Sequence, residues 1–321
     1  MKFESRGILV HPEDLTMDWL NKMSAAGLNS LGLHPVGGNE SHNSMLRAID
    51  WHTLPETRAL FAETARLGIS VEYEAHSMGW LLPRHLFSLH PEWFRMNEKG
   101  ERTPDHNFCM SNPDALAYVA ERAALLAKLL PTGSSKYYYW LDDVSGGACH
   151  CPACRALSAS DQQLRAVNAM LSGLRTVDPQ AQLCYIAYHE TLAVPRCTEP
   201  ADGVFLEYAP FRRDHHRPLN DASCEKNVIE TAPLKDLIAF FGKKDARALD
   251  YWMDNSLFSG WTKPPKAFSL DEDVMRRDCE YYASLGMEHV TSFGCYLGPD
   301  YQQLHGDPSL SAYGSILSAD Y

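Results

Sequence analysis

No run of about 18 consecutive apolar residues occurs in the 321-residue chain, so the sequence offers no membrane-spanning helix. The N-terminal MKFESRGILVHPEDL lacks a long apolar segment, and no secretory leader is expected from it. Positive charge is in deficit. There are 29 Lys and Arg against 41 Asp and Glu, a net charge of −12. A nucleic-acid binder needs a basic face for phosphates, so that class is disfavoured. The chain has no low-complexity block, no repeat of fixed period, and no G-x-G-x-x-G after its first strand-like segment. Its histidines never fall at H-x-H or H-x-x-x-H spacing, which would set two metal ligands on one element. A secreted disulfide framework is also disfavoured, because the nine cysteines are odd in number and locally clustered. The expectation is a cytoplasmic protein with reduced thiols, large enough to bury a substantial core.

What is present is an alternation of strand-like and helix-like segments. Strands are expected at 7–12, 28–35, 68–76, 136–144, 182–190, 203–211, 247–254 and 287–297. Helices are expected at 13–27, 55–67, 113–130, 158–177, 227–241 and 271–285, with a short one from Pro308. The fifth unit looks short of a helix. Eight strands with helical returns predict a parallel sheet, and eight units in this length predict a single-domain (β/α)8 barrel over residues 1–321. A long loop follows strand 3. A doubly wound open sheet is the competing fold.

Barrel active sites form at the C-terminal ends of the strands. Those ends carry His11, His34, Glu74 with His76, Asp142 with Asp143, His189 with Glu190, Glu207 with Tyr208, Asp254 with Asn255, and Cys295 with Tyr296. Carboxylates, imidazoles and aromatics around one rim suit a sugar-cleaving pocket, where rings stack on sugar faces and carboxylates move protons. Single members of the set have a plainer reading as loop or capping residues. The sharpest feature is Asp142-Asp143, between the strand-forming YYYWL and the exit Val-Ser-Gly-Gly. Adjacent carboxylates repel, which favours a proton on one while the other stays charged. The plainer reading has one aspartate capping a turn and the other solvated.

Cys149-His150-Cys151-Pro152-Ala153-Cys154 places three thiols at C-x-C-x-x-C spacing. Cys109, in NFCMSNP, is the best fourth ligand and His150 the fallback. Four thiolates would form a closed, structural zinc shell, and four free thiols are the alternative. The remaining cysteines read as core residues. The loop after strand 3 holds His90-Pro91-Glu92-Trp93-Phe94 and is long enough to wall a pocket. Trp80, Trp93, Trp252 and Trp261 are candidate sugar platforms. The basic loop Arg212-Arg213-Asp214-His215-His216-Arg217 suggests either an anionic substituent or a solvated surface.

The run from HPEWFRMNEKGER through NFCMSNPDA to YYYWLDDVSGGACHCPAC resembles the bacterial family called domain of unknown function 4838, barrels taken to be glycoside hydrolases. The resemblance rests on Cys109 within F-C-x-S-N-P, then Cys149, Cys151, Cys154 and Arg155–Leu157, and covers about residues 90–160. The order of one cysteine followed by C-x-C-x-x-C is similar to the structural zinc site of family 42 β-galactosidases. Those enzymes carry an Asn-Glu acid/base motif where this chain has Leu141-Asp142-Asp143. The aspartate pair is instead similar to that of the O-GlcNAcase and hexosaminidase group. That likeness implies that Asp142 orients a 2-acetamido group and Asp143 is the acid/base. Trp252-Met253-Asp254-Asn255 resembles a W-D-N segment of that group with one residue inserted.

Together these features predict a glycoside hydrolase with a structural zinc held by four cysteines and no organic cofactor. Asp143 would protonate the glycosidic oxygen, with Asp142 assisting a 2-acetamido nucleophile. Alternatively, Asp254, Glu190 or Glu207 serves as the second carboxylate of a galactosidase-like or glucuronidase-like enzyme. His34, His76, His189, Tyr208, Trp252, Asn255 and Tyr296 are the expected substrate contacts. The partner is a carbohydrate, with no nucleic acid and no membrane, and homo-oligomers are open because such barrels often associate. Two rival readings are a non-catalytic carbohydrate-binding barrel and a metal-dependent hydrolase using His11, His34, His76 and His189.

Overall fold

A computed structural model describes residues 1–308 and 310–321. Its strands are β1 (Ser5–Val10), β2 (Ser30–Leu33), β3 (Ser70–His76), β4 (Lys136–Trp140), β5 (Gln182–Ala187), β6 (Val204–Tyr208), β7 (Arg247–Asp250) and β8 (His289–Ser292). They follow one another in chain order around a closed parallel barrel, a (β/α)8 architecture. β1 pairs with β2 in the register Gly7↔Ser30 and closes on β8 through Ser5↔His289. Among the described strands, closure gives each one a neighbour on both sides.

By contacts the chain divides into two compact units. One comprises Met1–His34, Thr53–Glu72 and Leu206–Tyr321. Its core is built on Ile8, Leu9, Val10, Leu31, Leu33, Leu249 and Val290, all buried. Helix Met17–Ala25 starts at Thr16, whose side chain accepts from Trp19 N. Helix Pro55–Leu67 has proline in its first turn and ends on Gly68 at φ +69°, a left-handed stop that favours glycine. Arg247 is buried on β7 between Glu72 (2.6 Å) and Glu207 (2.9 Å).

The other unit comprises Pro35–His52 and Tyr73–Phe205. Helix Pro113–Leu129 is N-capped by Asn112, and helix Ala159–Leu174 by a Ser158–Asp161 capping box. The two helices pack so closely at Gly173 that an added Cβ would lie 2.0 Å from the Ala120 carbonyl oxygen. The connection from Ser77 to Asn112 contains one helical turn and two short 3-10 turns.

Some elements differ from the sequence expectation. The expected strands 247–254 and 287–297 stop at Asp250 and Ser292. Asp250 Oδ1 accepts from Tyr251 N at 2.8 Å, and Asp254 N donates to Tyr251 O at 3.1 Å, so the chain turns instead of extending. The expected helix 227–241 is two helices, Glu225–Thr231 and Leu234–Phe241, broken at Pro233. Helix Ser41–Thr53 is an addition to the expected set, since only Ser44, Met45 and Ala48 are buried and its apolar stripe is thin. After β5 there is only the short turn His189–Thr191, in keeping with a fifth unit short of a helix. Cys197 is exposed, which corrects its reading as a core residue.

Candidate active site and metal centre

Every residue of β4 beyond Lys136 is an aromatic of high strand preference, and all four are buried. The strand ends by releasing Leu141, Asp142 and Asp143 at its C-terminal end. The two aspartates then part. Asp142 Oδ2 accepts from Arg84 Nη2 and from the Asn107 backbone N–H, the latter at 2.5 Å. Asn107 returns the contact, its Oδ1 accepting from Asp142 N at 2.8 Å, and Arg84 Nη1 also holds Asn107 O at 2.8 Å. All these donors meet Oδ2, and Oδ1 takes no donor among the described residues.

Asp143 is more open, its side chain 37% exposed. Its Oδ1 accepts from Tyr188 Oη at 2.9 Å and lies 4.0 Å from His76 Nε2. The other ring nitrogen of His76, Nδ1, is 2.6 Å from the Leu141 carbonyl oxygen. A carbonyl only accepts, so Nδ1 carries a proton and Nε2 is the nitrogen facing Asp143. The Trp140 ring meets His76 edge-on at 5.2 Å and fixes it. Gly37 approaches the pair from one side. A Cβ there would lie 2.9 Å from His76 Cδ2 and 3.6 Å from Asp143 Oδ2.

Tyr188 is held at the end of β5 by the turn His189–Thr191, where Thr191 Oγ1 donates to Tyr188 O at 2.8 Å. His189 has φ +50°, a left-handed conformation that costs a non-glycine residue about 1 kcal/mol, and its ring lies against Tyr188 at 3.8 Å. Glu190 Oε2 accepts from Gly146 N at 2.7 Å, on the loop that follows Asp143. This unit therefore gathers Asp142, Asp143, Glu190, His76 and His189 from the expected set. It adds Gly37, Arg84, Asn107 and Tyr188, which the sequence reading missed. Only the Gly37-Gly38 pair after β2 carries a local signal. The others reach Asp142 and Asp143 from remote segments.

The four cysteines Cys109, Cys149, Cys151 and Cys154 are buried, and their sulfurs all lie within 4.8 Å of one another. Cys109 Sγ is 3.6 Å from Cys151 Sγ and 3.8 Å from Cys154 Sγ. A tetrahedral zinc with Zn–S bonds of about 2.3 Å separates its thiolates by roughly 3.8 Å, so the set fits such an ion. Hydrogen bonds from Cys149 and Cys154 hold the Cys109 thiol far below its ordinary range, while the same bonds raise Cys149 and Cys154. One thiolate solvated by neighbouring thiols resists further ionisation until a cation offsets the repulsion. Cys149 Sγ accepts from Met96 N at 3.4 Å, and Cys154 Sγ lies 3.1 Å from Ser111 Oγ. His150, the fallback ligand, is exposed and outside the cluster. Among the described residues, no metal-ligand grouping includes His11, His34, His76 or His189.

The other unit holds most of the remaining candidates. His11 Nδ1 donates to His34 O at 2.8 Å, and the two rings stack at 5.8 Å. His34 meets Phe293 edge-on at 5.1 Å, Phe293 stacks on Tyr251 at 5.3 Å, and Tyr251 meets Phe211 at 5.3 Å. Trp261 extends this aromatic series beyond Phe211 at 6.3 Å and is 59% exposed. Tyr296, at φ +61°, lies 6.1 Å from His11. Asp254 caps the turn Asn255–Phe258, accepting from Ser256 Oγ at 2.5 Å and Ser256 N at 3.0 Å, and burial raises its pKa. Asn255 Nδ2 donates to Lys266 O and Tyr296 O. Glu207 is buried against Arg247, and the buried Tyr208 donates its hydroxyl to Glu230 O at 2.8 Å. Trp252 Nε1 donates to Asp278 at 2.8 Å. Of the other tryptophans, both in the unit of Asp143, Trp80 is buried beneath Arg122 and Trp93 stacks on His90 at 4.0 Å.

A closed parallel barrel with a carboxylate pair at the end of β4 defines the class, a (β/α)8 barrel of the architecture shared by many glycoside hydrolases. A family model described as domain of unknown function (DUF4838) matches residues 35–234, more than half of the sequence, and the chain belongs to that family. No curated protein matches it significantly. Among solved structures, a β-galactosidase from Rahnella sp. R3 is similar with TM-score 0.57 and 16% identity, over 99% of this chain and 57% of that one. An O-GlcNAc hydrolase from Thermobaculum terrenum is similar with TM-score 0.55 and 10% identity, over 99% of this chain and 60% of that one. Endo-glycoceramidase II from Rhodococcus sp. is similar with TM-score 0.51 and 12% identity, over 98% and 78%. The chain thus spans less than two thirds of the length of the first two enzymes. These likenesses are in fold. Among the described residues, no helix is long and apolar enough to cross a membrane.

Proposed function

We propose that residues 1–321 form one catalytic barrel that hydrolyses glycosides, with Asp143 as the acid/base. The observation that carries this reading is the different company of the two aspartates. Asp142 is held through Oδ2 by the Arg84 guanidinium and the Asn107 N–H, with Oδ1 left for a further donor. Asp143 is open, hydrogen-bonded to Tyr188 and faced by the Nε2 side of His76.

In the favoured mechanism, Asp142 Oδ1 accepts the N–H of a 2-acetamido group and polarises it. The acetamido carbonyl oxygen attacks the anomeric carbon as the bond to the glycosidic oxygen breaks, and Asp143 gives that oxygen its proton. Asp143 then takes a proton from the water that opens the cyclic intermediate. Gly37 lets the segment after β2 lie directly against the His76 ring beside Asp143. The two-carboxylate alternative rests on Glu190, which shares a compact unit with Asp143. Asp254 is engaged as a turn cap and Glu207 with Arg247.

The four thiols would hold a structural zinc that braces the loops carrying Asn107 and Gly147, with no role in a chemical step. A panel of aryl glycosides with and without a 2-acetamido group tests the reading. Turnover restricted to acetamido sugars and lost in Asp143→Asn supports substrate assistance. Turnover of plain glycosides lost in both Asp143→Asn and Glu190→Gln favours the two-carboxylate version. Sugar binding without any turnover would leave a carbohydrate-binding barrel.

A further inference from the structure

The basic loop 212–217 carries little free positive charge. Arg213 is buried between Asp250 (2.9 Å) and Asp278 (2.7 Å), and Arg217 pairs with Asp221 at 2.7 Å. Two histidines of that loop, His215 and His216, instead line a cavity of about 280 Å³ with Trp252, Phe258, Phe268 and Asp271. None of these belongs to the set around Asp142 and Asp143.

The lining has a definite chemistry. Phe258 and Phe268 are close to parallel, their planes 24° apart at 6.0 Å. Trp252 adds an indole whose N–H is already committed to Asp278. His215 donates from Nε2 to Phe211 O at 3.0 Å, and burial lowers its pKa, so the ring is neutral and its remaining nitrogen, Nδ1, accepts. Asp271 uses Oδ1 to cap Val274 N at 3.1 Å, and Oδ2 has no partner among the described residues. Flat apolar faces are thus combined with acceptors. His216 and Ser269 complete the polar part of the lining. Such a lining favours a ligand with a C–H face and several hydroxyls, and the Asp271 carboxylate disfavours an anion. The volume lies just below the usual range of ligand pockets, about 300–1,000 Å³, which suits one ring.

We infer that this cleft is a second saccharide-binding site, taking one neutral pyranose ring of a glycan on Phe258 and Phe268, with hydroxyls donated to His215 and Asp271. The reading of the protein as a glycosidase is not required, because the test measures binding without turnover.

The test uses the Asp143→Asn chain labelled with 5-fluorotryptophan and followed by ¹⁹F NMR. The Trp252 resonance is assigned by its loss in Trp252→Phe. Cellobiose and N,N′-diacetylchitobiose are the sugar probes, glucuronate the anionic one and p-nitrophenol the aryl one. The expected result is a saturable shift of the Trp252 signal with millimolar neutral sugar. Phe258→Leu and Phe268→Leu, which keep apolar volume but remove the flat face, should each weaken it about fivefold or more. A Trp252 signal that moves only with p-nitrophenol, or with glucuronate in preference to neutral sugar, overturns the inference. So does a sugar response that both leucine variants leave unchanged. Failure of turnover in the wild-type chain with this shift intact would count against the catalytic proposal alone.

Discussion

Asp142 and Asp143 are adjacent in sequence and differ in surroundings, and their substitutions should differ accordingly. Asp143→Asn is expected to lower kcat by about 10²–10⁴-fold, the usual contribution of a positioned acid/base, with KM nearly unchanged. Gly37→Ala should lower kcat/KM without a comparable loss of thermal stability, because its Cβ would displace the His76 ring that faces Asp143, from the half-buried start of the segment after β2. Steady-state kinetics beside a thermal melt check both. Glu230 supplies a pH prediction. Burial raises its carboxyl from 4.5 to about 7. Between those values the folded chain keeps a proton that the unfolded chain has lost, so this group weakens the fold as pH rises through that window. Glu230→Gln should therefore stabilise the protein at pH above about 7, by on the order of 2–3 kcal/mol, and leave it nearly unchanged below about 4.5. Urea titrations at the two ends of the window measure this. At this scale the aspartate pair and the four cysteines are visible in the sequence, because adjacency and C-x-C-x-x-C spacing are local patterns. Arg84 and Asn107 leave no such trace. Their relation to Asp142 exists only once the loop after β3 folds against the end of β4.

Helices follow the same division between local and tertiary information. The helix at 55–67 is readable to the residue, since proline opens it and a left-handed glycine closes it. The helix at 113–129 is readable from its asparagine cap and apolar periodicity. Helix Ser41–Thr53 is not, because its burial depends on a small contact face rather than on a continuous stripe. The contact at Gly173 is also invisible in the sequence, where one glycine in a helix carries no stated reason. In the fold it lets helices 113–129 and 159–174 meet backbone to backbone. Gly173→Ala should force them apart and cost about 1–3 kcal/mol, as overpacking does, despite alanine's better helix propensity. Thermal unfolding of that variant checks the sign, and a stabilised protein would refute the packing argument.

At the scale of the whole molecule, the closed barrel is legible because eight alternating units leave few topologies, and right-handed crossovers select one of them. The four-cysteine cluster is the feature whose loss should be felt most widely. Elemental analysis is expected to find one zinc per chain, absent from a Cys151→Ser, Cys154→Ser double variant, with a lowered melting temperature in that variant or after chelation. The reciprocal bonds between Asn107 and Asp142, two residues from Cys109, have a consequence for inheritance and engineering. Segments 84–109 and 142–154 share a carboxylate, a guanidinium and a thiol cluster, so neither is complete without the other. They should travel between homologous barrels as a single cassette. A chimera that exchanges one of them alone would leave one partner of the Arg84–Asp142 ion pair without the other and break up the thiol set, whereas a joint exchange would carry both intact.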